Sequence, residues 1–313
     1  MRVVKNSDKQ VIILRHSGGR LGNQLLLYAS IYAFCLEYGF QCINYTFYNY
    51  RDYFNLPKGD KFTQLFGILG KLKFYNTHAA YVLVYKIYEL FTFIYTFFRK
   101  GISVKEDPKN IIYLPPTRDK IRKHQKLIEK ITLGKGKLFY FDGWHFQNPG
   151  GLKKYRKEII GLLKPKKHIL TKVKYFIEPF KHYHLIGVHI RQGEYKSKRF
   201  MGGSWYFSEK EVAKILDSYL KTNHKEADKV KFIICSDGPL DLSYFSGLNT
   251  TPGIGSMMED LITLSMCNVI LGSNSTFGSF AAYYGNITFL IFDHEKKWIK
   301  ADGENLFQNS NFS

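Results

Sequence analysis

The apolar segment Leu185 to Ile190 (LIGVHI) ends abruptly in Arg191, Gly193 and Glu194, with His189 inside the run. A short, nearly continuous apolar segment suits a strand covered on both faces, as in a parallel sheet with helices above and below. Such sheets present their ligand-binding loops at the carboxyl ends of the strands. An imidazole, a guanidinium and a carboxylate gathered there mark a candidate site. Arg191 leads it, because a guanidinium offers a rigid fork of donors that fits phosphate oxygens. The competing reading is a surface ion pair between Arg191 and Glu194.

The same punctuation recurs downstream. Val230 to Cys235 reads as a strand that runs into Ser236, Asp237 and Gly238. Asp237 there is either an acceptor for a ribose or base edge, or ordinary turn chemistry in an Asp-Gly-Pro sequence. Val269 to Leu271 runs into GSNSTFGSFAAYYG, where Asn274, Ser275 and Thr276 are cap-type residues before a helix of small residues. Backbone N–H groups at such a terminus can hold an anion, although any helix can have an ordinary cap. Ser208 with Glu211, and Ser256 with Glu259, have the spacing of capping boxes. The first opens a helix through Val212, Ile215, Leu216 and Tyr219; the second leads through Leu261 and Leu264 to Met266.

Toward the N-terminus, Val11 to Leu14 reads as a buried strand, RHSGGR as a glycine turn, and the following residues as a helix to about Tyr38, stopped by Gly39. Asn23 lies at the start of that helix, facing the cleft at the end of the first strand. The turn matches neither GxGxxG nor GxxxxGK[ST], so the usual dinucleotide and phosphate-loop NTPase patterns lose support. Tyr45 to Tyr75 has no clear periodicity. Lys100 to Lys137, with Pro108, Pro115 and Pro116, reads as loops around a short helix near Asp119 to Ile131. Leu138 to Trp144 reads as the last strand of the first half, with Asp142 and His145 near its end. Lys153 to Lys181 reads as an amphipathic helix and crossover into the second half.

A chain of 313 residues with 45% hydrophobic and 23% charged content can build two domains with real cores. Forty-six Lys and Arg against 26 Asp and Glu give a net charge of +20, which attracts nucleic acid, anionic lipid or phosphorylated substrates. The charge is scattered and no helix-turn-helix, zinc or RNA-recognition signature accompanies it, so nucleic acid is not the expected partner. Cys35, Cys42, Cys235 and Cys267 form no CxxC pair and read as reduced core thiols. The N-terminus has no extended apolar h-region. Both features point to a cytoplasmic protein. Ala79 to Phe98 is interrupted by Lys86 and Glu89 and falls short of the roughly 20 apolar residues of a membrane span. On a helical wheel Lys86, Glu89, Thr92, Thr96 and Lys100 share one arc and leave a broad aromatic and aliphatic face. That face packs either on the domain core or, peripherally, on the inner face of a membrane, the latter helped by Arg99 and Lys100. With no DxD motif and no His/Cys metal spacing, no metal is expected.

Taken together, GGRLGNQLLLYA, VHIRQGEY, FIICSDG and EDLITLSMCNVILGSNSTFGSFAAYYG resemble, in order and spacing, the motifs of the bacterial α-1,2-fucosyltransferases of glycosyltransferase family eleven, within a wider group of α-1,2-, α-1,6- and protein O-fucosyltransferases. The resemblance implies an α/β fold of two Rossmann-like domains facing across a cleft, the glycosyltransferase B-type arrangement. It implies residues 1–165 on the acceptor side and 166–313 binding the nucleotide sugar. The donor is then GDP-fucose, the acceptor a glycan, and the reaction inverts the anomeric carbon without cofactor or required metal. By the same resemblance Arg191 holds the β-phosphate, His189 shapes its pocket, and Asn23 faces the reacting centre. Asp237 contacts the nucleoside, and Ser275 and Thr276, with Asn274, bind phosphate. The pattern HxRRGD is altered here at Gln192 and Glu194, and an aromatic-rich ending is replaced by GSFAAYY, which leaves sugar and linkage open. The general base is Glu194, Asp142 or His145, or the displacement proceeds with little base assistance. Another nucleotide sugar, a lectin-like binding protein, or a basic nucleic-acid-binding protein are the alternatives.

Overall fold

The computed structural model describes residues 10–65, 78–99, 101–105, 138–143, 146–196, 205–223 and 226–301. The chain divides into two units, 1–166 and 167–313, each built on a mainly parallel sheet.

In the first unit β1 (Val11–His16), β2 (Gln41–Asn44), β3 (Ile102–Lys105) and β4 (Leu138–Asp142) form a parallel sheet in the order β2-β1-β4-β3. Side chains alternate across β1: Ile12 and Leu14 join Leu27, Ile31, Phe34, Phe139 and Phe141 on one face, while Ile13 joins Tyr45, Phe62, Tyr88 and Tyr140 on the other. Helix α1 (Leu21–Tyr38) connects β1 to β2 and ends at Gly39, whose φ of 72° gives the left-handed cap that its N–H bond to the Cys35 carbonyl requires. Helix α2 (His78–Phe97) lies against the second face through Tyr88. β3 falls in a stretch that the sequence assigned to loops: ISVK is too short and too polar to show as a strand without β4 beside it. The helix expected near Asp119 to Ile131 lies outside the described residues. No amphipathic helix runs unbroken from Lys153; the segment breaks into α3 (Pro149–Lys154), α4 (Arg156–Leu162) and α5 (Lys167–Ile177), interrupted at Tyr155 and around Pro165.

In the second unit β5 (His184–Ile190) is flanked by β6 (Val230–Ser236) and β7 (Thr250–Pro252) on one side, and by β8 (Val269–Gly272), β9 (Thr288–Asp293) and β10 (Lys297–Lys300) on the other. Only β10 is antiparallel, as a hairpin with β9. The chain leaves β5 toward β6 and β7, then returns to lay β8 along the free side of β5. The boundary between β5 and β8 is therefore the topological switch point of a doubly wound sheet. Helix α6 (Glu209–Asn223) covers one face with Val212, Ile215, Leu216 and Tyr219. Helix α7 (Met257–Ser265) packs against β5, α5 and α8 (Thr276–Gly285). Gly187 allows that close approach, since a Cβ there would lie 2.8 Å from Leu264 Cδ2.

The expected capping boxes differ. At α6 the Ser208 N–H donates to Glu211 Oε2 (2.8 Å) and the Glu211 N–H donates to Ser208 Oγ (3.3 Å), a complete reciprocal pair. At α7 Ser256 Oγ instead donates to the Glu259 carboxylate and caps no backbone N–H, and Glu259 is shared with Lys172.

Candidate functional site

The carboxyl end of β5 is joined to the loop after β8 through backbone and side chain together. The Ser273 N–H donates to the His189 carbonyl (2.9 Å), and the Arg191 N–H donates to Ser273 Oγ (3.0 Å). Gly272 makes this possible, because a Cβ there would meet the His189 carbonyl oxygen at 2.7 Å. The chain emerging from β5 is thus fixed at the switch point before any side chain of the site is considered.

Asp237, at the end of β6, fixes it from the other side. Its Oδ1 accepts the Gln192 N–H (2.7 Å) and its Oδ2 lies 2.8 Å from Arg191 Nη1. The Arg191 guanidinium also sits over the Tyr195 ring, 4.7 Å from its centroid, and the Tyr195 hydroxyl donates to the Asn274 carbonyl (3.0 Å). With the two side chains 12% and 19% exposed, the pair is neither a solvated surface contact nor sealed in the core. It is a fork held ready at the sheet edge, reachable by a ligand.

Ser275 is the N-cap of α8: its Oγ accepts the Gly278 N–H (3.4 Å) and lies 3.3 Å from His189 Nδ1. The ordinary-cap reading therefore holds, and the first-turn amides of α8, which have no acceptor inside the helix, still carry the positive end of its dipole to this edge. His189 is buried, with its ring 5.0 Å from that of Phe277. Burial, reinforced by the Arg191 charge and only partly opposed by Asp237, pushes its pKa from 6.5 down to about 3. The imidazole is neutral, so the cationic character of this edge comes from Arg191 and the helix terminus.

His189, Arg191, Asp237, Asn274 and Ser275 are thus brought together, with Thr276 in the first turn of α8. Glu194 lies in the single turn Gly193–Lys196, and its side chain is outside the described residues. Asn23 belongs to the first unit, in the first turn of α1, packed over Gly19: a Cβ there would meet Asn23 Nδ2 at 2.2 Å, and the backbone φ of +79° already favours glycine. Asp142, a candidate base, has both carboxylate oxygens on Arg15, Oδ1 at 2.9 Å from Nε, so it is positioned as an ion-pair partner. His145 lies outside the described residues.

Three participants escaped the sequence. Ser273, Tyr195 and Gly272 act through contacts that need the β5–β8 pairing. Gln192, which the sequence showed only as a departure from HxRRGD, is 1% exposed, and its carboxamide has no partner among the described residues. Asp260, which follows Glu259 in the first turn of α7, is buried, accepts the Gly255 N–H (3.1 Å), and has its pKa raised by desolvation. Among the described residues no group of three or more His, Cys, Asp or Glu side chains is placed to hold a metal.

Solved structures share this fold. The α-1,6-fucosyltransferase NodZ, soaked with GDP-fucose, is 13% identical with a TM-score of 0.55, covering 94% of this chain and 99% of its own; NodZ is from Bradyrhizobium. A mutant of Arabidopsis thaliana FUT1 in complex with GDP is 13% identical with a TM-score of 0.57, covering 95% and 75%. POFUT1 in its apo form is 10% identical with a TM-score of 0.53, covering 91% and 97%. Curated protein sequences give no match. The mixed α/β architecture with parallel sheets is that of these glycosyltransferases. The model of glycosyl transferase family 11 matches residues 125–305, and the chain belongs to that family.

Proposed function

We propose that the chain is an inverting fucosyltransferase that moves fucose from GDP-fucose to a hydroxyl of a glycan, forming an α-1,2 linkage on a bacterial surface-polysaccharide precursor. The observation that carries this reading is the Arg191 fork, held by Asp237 beside the N-terminus of α8 at the switch point of the second unit. A glycosyl donor leaves its anomeric carbon with the bonding electrons on the diphosphate. Stabilising that charge is the main electrostatic task, and a preorganised guanidinium with helix amides meets it without reorganising. The acceptor oxygen forms the new bond on the opposite face and gives up its proton to a base or to solvent.

In this reading the second unit holds the donor through Arg191, Asn274, Ser275 and Thr276, and needs no metal for charge neutralisation. Asp237 sets the direction of Arg191 and neutral His189 braces Ser275. The first unit carries the acceptor, and Asn23 is its contribution to the reaction. The likeness to NodZ and FUT1 structures with GDP-fucose and GDP supports guanine as the base.

A thermal-shift panel of GDP, UDP, TDP and CMP with the wild type and Arg191→Ala tests this. A shift selective for GDP and lost in the variant is expected, with turnover reduced by about 10² to 10³. A UDP or TDP preference would keep a transferase and remove fucose.

A further inference from the structure

Helix α2 has apolar groups on both sides. Its inward arc mixes rings and hydroxyls: Tyr88 sits in the core with Val84, Tyr85 and Tyr95 packed beside it, and Thr92 (0% exposed) and Thr96 are buried, Thr96 Oγ1 accepting from Arg15 Nη1 (3.4 Å) while Tyr88 donates to the Arg15 carbonyl. Its outward arc is apolar: Leu83, Ile87, Leu90, Phe93, Ile94 and Phe97 are exposed, Phe93 by 65% and Phe97 by 71%. At about 100° per residue these six fall on one continuous arc, and a contiguous apolar surface of that extent is more than a soluble monomer normally leaves to water. The sheet contributes to this arrangement: β1 ends in a bulge at Arg15, whose guanidinium is held chiefly by Asp142 and has Thr96 of α2 as a further acceptor.

We propose that the outward face of α2 seats on an anionic lipid surface, lying in the headgroup region. No helix among the described residues is long and apolar enough to cross a membrane, whereas a helix of 20 residues lying flat presents a stripe about 30 Å long. Charge selects lipid over a second copy of the chain. Two copies at +20 repel, while an anionic surface attracts each of them. Lys86, 70% exposed within the apolar arc and paired with Glu89, and Arg99, just past the last turn and 3.5 Å from Asp60, hold exposed pairs that can be exchanged for phosphates by a helix whose rings are immersed.

The test is co-sedimentation of the full chain with vesicles of phosphatidylcholine containing about 30% phosphatidylglycerol, against phosphatidylcholine alone. The wild type pellets with the anionic vesicles and less so as salt rises. The variant Leu90→Gln/Phe93→Ser/Phe97→Ser partitions at least tenfold more weakly, with melting temperature unchanged because none of the three lies in the core. If the triple variant melts early, Phe97→Ser alone, in the last turn, carries the same test with a smaller loss. Wild type that stays in the supernatant, equal binding to neutral vesicles, or a variant that binds as well as wild type overturns the proposal. So does a dimer in light scattering that the same substitutions dissociate without any vesicle binding.

Discussion

Removing either partner of the Arg191–Asp237 pair separates its structural role from its chemical one. At about 4 Å between charge centres and an effective dielectric of 20, the Coulomb term is about 4 kcal/mol, and desolvation of both groups lowers the net to about 1–2 kcal/mol. Asp237→Asn keeps an oxygen for the Gln192 N–H and loses only the charge. Arg191→Ala removes the charge opposite Asp237 Oδ2 and leaves its bond to the Gln192 N–H in place. The assay is urea unfolding of wild type, the two single variants and the double variant. A coupling energy of about 1–2 kcal/mol is expected. For a domain of this size each kcal/mol corresponds to about 2–4 °C in melting temperature. In parallel, Asp237→Asn weakens turnover less than Arg191→Ala, because it misdirects the guanidinium without deleting it. Coupling below about 0.5 kcal/mol, together with normal turnover in Asp237→Asn, would show that Asp237 does not hold the fork and that the argument from preorganisation fails.

His189 gives a pH dependence. Its folded value of about 3 lies below its ordinary 6.5, so the unfolded chain takes up the proton first; its stabilising effect is complete above about pH 6.5 and is lost as pH falls toward 3. Between about pH 7 and 5.5 this costs about 1 kcal/mol in urea unfolding, and His189→Asn flattens the slope there. Gly272→Ala drives a Cβ into the His189 carbonyl, spreads β5 from β8, and costs about 1–3 kcal/mol by denaturant titration, with weaker GDP binding. Gln192→Met replaces an unpartnered buried amide with an isosteric apolar chain, so the ligand-free protein keeps or gains about 1 kcal/mol in stability. A loss of that size instead would reveal a partner for the amide.

The second unit was more legible than the first because its strands are long apolar runs punctuated by polar termini: β5, β6 and β8 fall within a residue or so of where the runs begin and end. What the pattern could not carry is pairing. β7 and β10 gain strand character only from a neighbour, and the closeness of Ser273 to His189 exists only because β8 returns beside β5. In α2 periodicity was visible and its sense was not. A broad apolar arc suits a core, but here the sheet beneath ends in a charged bulge, and Thr96 on the inward arc accepts from Arg15 there. The capping pair Ser256 and Glu259 shows the same limit, since Lys172 competes for the carboxylate from a distant helix.

The margins of the larger sheet are poor templates for polymerisation. One is β7, three residues closed by Pro252, which has no amide hydrogen to offer; the other is β10, with Lys297 and Lys300 at its ends. Fibril-like growth by backbone zippering is disfavoured at both borders, so a concentrated preparation that clouds or sticks to surfaces would be reporting greasy side chains and not unsatisfied strands.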